Sequence, residues 1–527
     1  MALGPVVGTV RGACDDRAVG SRVTPTGGGS APLQNARAIA LLGVAQALAL
    51  AAGLLRWKII ALLLGPAGVG IVGLLDQLAQ VVLQLGSMSL PTVSLRFLGK
   101  AHHDGTGMFG RLYRGFRLAV LTGGLGAAGV ALAIFVLRPT AFGTGLEQFG
   151  APLALALLTV PLTGAANLTR NALATLGRHR DAALAMAVSA VGLALAAFIG
   201  VQWGGIPGLY ATTLITSVVV AFLLDWTVRR ASPEIDEGDA VRPLAYLRAQ
   251  PGVLRYSATL CIVGFTIPLS YTVLRSSVLG TLGPSAAGFL AAALTVATGA
   301  RTVFTQASSQ FLMPRASRDA PKAHRAAEVG SYLRTLVVAM LIAALPVALF
   351  PAEVIRVLFS VKFLPAAIFI GVFVLGELMM AFGDAYRILL LGFDDLRGYL
   401  ATTIAAPALV MLGASIVVSR YGILGLGILH VGSALLGLLI SQLWLRRMHG
   451  THMPGRVLSL YAVMILLVGV ATLLGVTFPA PSLVNWMWKV VVGAVLAAVG
   501  VGMLPAAERS ALLRSIPGMR SHGTPPA

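Results

Sequence analysis

Leu64-Gly65-Pro66-Ala67-Gly68-Val69-Gly70 returns 218 residues later as Leu282-Gly283-Pro284-Ser285-Ala286-Ala287-Gly288. Each copy interrupts a long apolar run with a glycine followed by a proline, a pair that ends one helix and turns the chain before the next. More matches follow at an offset of 217: Gly205, Gly208 and Leu209 correspond to Gly422, Gly425 and Leu426, and Arg229-Arg230 to Arg446-Arg447. One period holds six apolar stretches. Because six is even, both units enter a membrane in the same direction, which implies two parallel lobes related by an axis along the membrane normal.

Fourteen stretches long enough to cross a hydrocarbon core of roughly 30 Å lie between residues 38 and 505. With 57% of 527 residues hydrophobic and 11% charged, the chain could not hide its apolar side chains in a water-soluble core. The expected fold is an all-α polytopic membrane protein of about fourteen transmembrane helices. Residues 1–37 form a disordered cytoplasmic tail, 38–228 the first lobe, 229–252 a cytoplasmic linker and 253–447 the second lobe. Residues 457–505 add two helices outside the repeat, and 506–527 form a second cytoplasmic tail.

A net charge of +20 raises the question of nucleic acid, but its distribution answers it. With the amino terminus cytoplasmic, most of the 39 lysines and arginines fall in cytoplasmic segments. Arg96, Lys100, Arg111, Arg114 and Arg117 crowd one of them, while the connections near Pro66 and Gly205 carry none. The bias fixes orientation, with both termini cytoplasmic, and nucleic acid is not an expected partner. Cys14 and Cys261 suggest neither a disulfide framework nor a zinc site, and His449 with His452 reads as a solvated basic loop.

Polar residues inside the apolar stretches carry the functional signal. Gln77, Gln80, Gln84 and Ser87 recur at spacings of three and four, so they share one helix face, and adding 218 lands on Thr295, Thr298, Thr302 and Thr305. Such a stripe either faces a cavity or binds helices together, and intramembrane polar faces usually look inward. Arg56, Lys58 and Arg301 stand within helices, where a central basic residue costs about 2.5–3.5 kcal/mol and so calls for a partner. A pyrophosphate suits a guanidinium, which binds its oxygens bidentately; an internal ion pair is the other solution for Arg56 and Arg301. Arg275 reads as snorkelling to the interface, which is also the alternative for Lys58. Asp76, Glu377, Asp384 and Arg387 are candidates for proton coupling or a gate, with Asp384 and Arg387 spaced to pair, and Asn167 with Arg170 holds the matching places at offset 217.

The run from Arg56-Trp57-Lys58 through Gly70, followed by Gln77, Gln80 and Gln84, resembles the opening of bacterial O-antigen and related oligosaccharide flippases. These belong to the multidrug/oligosaccharidyl-lipid/polysaccharide (MOP) exporter superfamily, whose helix count and tandem repeat fit roughly residues 38–488. The resemblance implies a two-lobed bundle in the bacterial inner membrane that moves an undecaprenyl-pyrophosphate-linked oligosaccharide from the cytoplasmic to the periplasmic leaflet by alternating access. It implies no cofactor, with proton or sodium coupling as the candidate energy source, and membrane lipids and polysaccharide polymerase or assembly proteins as neighbours. Under it, Arg56, Lys58 and Arg301 hold the pyrophosphate, and Gln77, Gln80, Gln84, Thr298 and Thr302 line the sugar path.

Two alternatives within transport are a multidrug cation antiporter and a lipid II flippase of the same superfamily. An alternative from another class is a membrane polysaccharide polymerase or ligase, whose expected large periplasmic loop is missing. With no phosphate loop and no nucleophile motif, the chain reads as a transporter and not an enzyme.

Overall fold

The computed structural model describes residues 31–103, 108–139, 146–232, 251–316, 321–478, 482–506 and 509. The expected linker 229–252 and tail 506–527 thus lie largely outside the described residues, as do residues 1–30 of the expected tail 1–37. Residues 31–37 are already helical, so the first helix starts earlier than its apolar run does.

Every regular element among the described residues is helical. The first lobe comprises α1 (Ala31–Ser87), α2 (Leu90–His103), α3 (Met108–Leu137), α4 (Gly150–Thr175) and α5 (His179–Ala231). The second comprises α6 (Pro251–Leu282), α7 (Pro284–Ala316), α8 (Lys322–Leu349), the short α9 (Pro351–Leu358), α10 (Ala367–Gly392) and α11 (Leu396–His449). Two further helices, α12 (Gly455–Thr477) and α13 (Leu483–Gly502), pack on α8.

Three of these helices are hairpins. Gly65, Gly205 and Gly422 adopt φ of 66°, 58° and 63°, a left-handed geometry open to glycine and closed to most other residues. Residues 20 apart in a straight helix stand about 30 Å apart, yet Arg56 and Asp76 in α1 meet at 2.9 Å. In α5 the Thr212 hydroxyl donates to the Ala196 carbonyl at 2.7 Å across the Gly205 turn. In α11 a Cβ placed on Gly413 would lie 3.1 Å from the Leu429 side chain. Eleven helices among the described residues are long and apolar enough to cross a membrane; with the three hairpins counted twice, the described residues offer fourteen candidate passes, the number expected from hydropathy. Outward-facing residues such as Leu412, 78% exposed, and Leu466, 64% exposed, mark the surrounding solvent as lipid.

The lobes meet on the pseudo-twofold axis. A Cβ on Gly70 would lie 2.5 Å from the Pro284 carbonyl oxygen and 2.7 Å from the Gly288 nitrogen, and one on Gly288 would collide with the Pro66 carbonyl. Positions 66 and 284, like 70 and 288, are equivalent in the repeat. Only residues beside the axis can touch their own counterparts in this way, so the glycines of the opening motif seal the lobes together at the Gly65/Gly283 end.

Candidate functional site

The second half of the α1 hairpin carries the Gln stripe, and α7 carries the Thr stripe. Both face a cavity of ≈ 550 Å³ between the lobes, walled by α1, α6 and α7. Gln77, Gln80, Thr295, Thr298 and Thr302 line it together with Asp76, Tyr271 and Arg275. Gln84, one turn further along the stripe, lines a neighbouring polar cavity of ≈ 220 Å³ with Ser87, Ser89, Asn167 and Arg170. The glue reading also has a part: the Gln77 amide donates to the Pro268 carbonyl at 3.2 Å across the lobe interface, while Thr295, Thr298 and Thr302 return their hydroxyl protons to their own helix.

The structure places the three basic candidates apart. Arg56 pairs with Asp76 at 2.9 Å across the α1 hairpin, and Tyr210 of α5 donates to the second oxygen of the same carboxylate at 2.8 Å. Lys58 donates to the Val357 carbonyl of α9 at 2.6 Å, a link from the first lobe to the second. Arg301 lies in the second lobe, bonded to Asp384 at 2.8 Å, Glu377 at 3.2 Å and the Tyr271 hydroxyl at 3.2 Å.

Glu377, Asp384 and Arg387 join that last network. Glu377 is wholly buried; it accepts from Tyr271, and it meets the His430 Nε2 of α11 at 3.0 Å. Asp384 also pairs with Arg387 one turn away. Carboxylates, guanidinia, a phenol and an imidazole thus satisfy one another in the low-dielectric interior, where any one of them alone would be costly. Tyr271 and His430 were missed in the sequence, because a single tyrosine or histidine in an apolar helix has no periodic signature.

Arg275 corrects an expectation. It does not snorkel: it is 8% exposed and donates to the Gly73 carbonyl of the opposite lobe. A side chain at Gly73 would occupy the space the guanidinium fills. Arg275 and Asp76 are the two charged residues of the cavity wall, one from each lobe. Among the described residues no group of three or more His, Cys, Asp or Glu side chains could hold a metal ion.

Comparison with known proteins bears on this architecture. The chain superposes on the lipid II flippase MurJ in an inward closed conformation with a TM-score of 0.67, covering 90% of this chain and 100% of that one at 12% identity. It shares the fold of MOP-superfamily transporters. An inward-facing multidrug resistance MATE family transporter of the MOP superfamily matches with a TM-score of 0.61 at 15% identity, over 79% of this chain and 99% of that one. In sequence, the chain is 24% identical over 388 residues to proteins named Lipid III flippase from Escherichia coli (strain K12) and Shigella flexneri, covering 71% of this chain and 89% of theirs. No family model matches the chain. These relatives are flippases and transporters, and the MOP fold accounts for the multi-pass, two-lobed bundle with its central cavity.

Proposed function

We propose that the chain flips an undecaprenyl-pyrophosphate-linked oligosaccharide, such as an O-antigen or exopolysaccharide repeat unit, across the bacterial inner membrane by alternating access, with both termini cytoplasmic. The observation that carries the proposal is the interlobe cavity lined by matched polar stripes, Gln77 and Gln80 from one lobe and Thr295, Thr298 and Thr302 from the other. Neutral amides and hydroxyls suit sugar hydroxyls, and a polyprenyl tail can stay in lipid while the head crosses. The likeness to Lipid III flippases supports the same class of substrate. A multidrug cation antiporter is disfavoured, because Asp76 is neutralised by Arg56 and Arg275 adds a further cation, so the cavity wall has no net negative charge to attract an organic cation.

In this conformation Arg56 and Arg301 are committed to carboxylates, so a pyrophosphate reaching either has to displace Asp76, or Asp384 and Glu377. Glu377 is the proton-coupling candidate of the second lobe, and the Asp384–Arg387 pair is the gate candidate. Reconstitution in proteoliposomes tests the function. Protein-dependent appearance of an undecaprenyl-pyrophosphate oligosaccharide in the opposite leaflet is the expected result. Absence of flipping, together with gradient-driven uptake of organic cations, would overturn it.

A further inference from the structure

The polar cavity of ≈ 220 Å³ in the first lobe holds a guanidinium with no carboxylate. Arg170, near the end of α4, bonds the Asn167 side chain one turn back, and among the described residues no acidic group lies within ion-pair distance of it. The other basic side chains of the two sites above are arranged differently: Arg56, Arg301 and Arg387 are paired with acids, and Lys58 and Arg275 are bound to carbonyls. The repeat explains how this came about. Arg170 matches Arg387 and Asn167 matches Asp384, so the first lobe keeps the cation and replaces its carboxylate with a neutral amide. Where the second lobe inserts Arg301, the first has Leu83, which forms part of the cavity wall.

Part of the wall shared with Arg170 is broken helix. Met88 and Ser89 take φ of 47° and 53°, a left-handed conformation rare for residues with a side chain. They separate α1 from α2, whose first turn also lines the space through Pro91 and Thr92. Two bonds pin this segment: the Asn171 amide donates to the Pro91 carbonyl at 2.6 Å, and the Ser257 hydroxyl of the other lobe donates to the Met88 carbonyl at 2.6 Å. Irregular backbone at membrane depth is tolerated where it lines a cavity, and interrupted helices commonly build transporter binding sites. The stripe Gln77, Gln80, Gln84, Ser87 runs from the central cavity directly into this one.

The geometry points to an anion site at Arg170 that receives the pyrophosphate of the lipid-linked substrate before the head group moves along the stripe into the central cavity. The inference rests on the proposed function, and the ligand chemistry is a phosphate-bearing lipid head. A guanidinium supplies two parallel donors to such a group and keeps its charge at any relevant pH. Asn171, Ser87, Ser89 and Gln84 provide neutral donors around it.

The test is titration of the full-length protein in phosphatidylethanolamine nanodiscs with undecaprenyl pyrophosphate, with undecaprenol as the phosphate-free control. Arg170→Gln is expected to weaken binding by about tenfold or more, the loss of a charge-assisted contact. Asn167→Asp is expected to do the same with the guanidinium still present, because it recreates the Asp384–Arg387 arrangement and occupies the cation. Arg447→Gln, on the exposed end of α11, changes affinity less than twofold. Equal affinity of wild type, Arg170→Gln and Asn167→Asp would overturn the inference, as would an equal loss for undecaprenol. Displacement of the pyrophosphate from wild type by an equal mole fraction of phosphatidylglycerol would assign the site to bilayer lipid and overturn the substrate assignment. Flipping is scored separately in proteoliposomes. Wild-type flipping that Arg170→Gln leaves unchanged sinks this inference alone, whereas a wild-type protein that binds undecaprenyl pyrophosphate through Arg170 but flips nothing sinks the proposed function.

Discussion

The two lobes share a backbone plan and differ in what fills it. In the second, Tyr271, Arg301, Glu377, Asp384, Arg387 and His430 form one continuous ionic network. Shifted by the repeat, these positions become Gly53, Leu83, Val160, Asn167, Arg170 and Thr213, and a single charge survives. At this place the second lobe is cross-linked, whereas the first has a polar cavity and a guanidinium with no carboxylate among the described residues. The repeat supplies two similar scaffolds, and a few internal positions decide whether this place is filled by ion pairs or left as a polar cavity.

The largest effect is expected from breaking the second lobe's network. Glu377→Leu leaves Arg301 and His430 facing an apolar group in a buried site, and removing one partner of such a pair costs about 3–5 kcal/mol. At the equivalent place in the first lobe, Val160→Ala deletes two methyl groups and costs about 1.5 kcal/mol. Thermal unfolding in detergent reads both. Similar losses for the two variants would mean that the network is not what stiffens the second lobe.

The contact between the lobes is the next target. Gly70→Val or Gly288→Val forces a side chain against the opposing backbone, and overpacking of this kind costs about 1–3 kcal/mol in the conformation closed at that end. Spin labels at positions 64 and 282 are expected to move apart. Gly126→Ala, where nothing lies within 4 Å, leaves the distance unchanged. An unaltered distribution in Gly288→Val would show that the glycines are not required for closure.

Hydropathy and the Gly-Pro punctuation made the membrane passes and the duplication legible, because both are local properties of the chain. The stripes were legible too, since Gln77, Gln80 and their threonine counterparts recur at helical spacing and do line one cavity. Partners were not. Arg56 meets Asp76 because the hairpin folds back, and Arg301 meets Glu377 and Asp384 because α7 packs on α10. Composition cannot distinguish a basic residue awaiting a ligand from one already paired. Arg275 shows the same difficulty: its position near a helix end suggested the interface, and only the absence of a side chain at Gly73 lets it reach a backbone carbonyl. Arg170 was visible as a repeat match to Arg387, and Pro91 marked an interruption nearby, but that the Met88-Ser89 backbone unwinds beside a cavity facing Arg170 was not legible.

Within the first lobe, the Arg56–Asp76 pair offers a smaller test. The pair is partly exposed and sits beside the interlobe cavity, so a double-mutant cycle of Arg56→Ala and Asp76→Ala in thermal unfolding is expected to give a coupling of about 1–2 kcal/mol. That is well below the effect at Glu377. No coupling would mean that water, and not Asp76, solvates the Arg56 guanidinium.

The smallest expected effect lies outside the membrane, where the long hairpin helices of the two lobes begin. Asp395 precedes α11 and accepts from the Gly398 N–H at 2.8 Å, from the Trp444 indole at 2.8 Å and from His449 at 2.9 Å. Its counterpart before α5 is Arg178, which makes no capping bond. His449 is therefore tied to a carboxylate and packed on Phe393 at 4.9 Å, not left in a solvated loop. Burial pushes the Asp395 carboxyl up, but the bonds from His449, Gly398 and Trp444 outweigh it and hold the group below its ordinary range. A group with a depressed folded-state pKa contributes stability that is fully present above the ordinary carboxylate range and is lost as pH falls through the depressed value. Asp395→Ala is expected to cost about 1 kcal/mol at neutral pH, typical of a lost helix cap, and Arg178→Ala close to nothing. Wild-type and Asp395→Asn unfolding temperatures, measured from neutral to acidic pH, should converge as the carboxyl protonates. A difference independent of pH would assign the effect to packing of Trp444 and His449 and remove ionisation of Asp395 from the account.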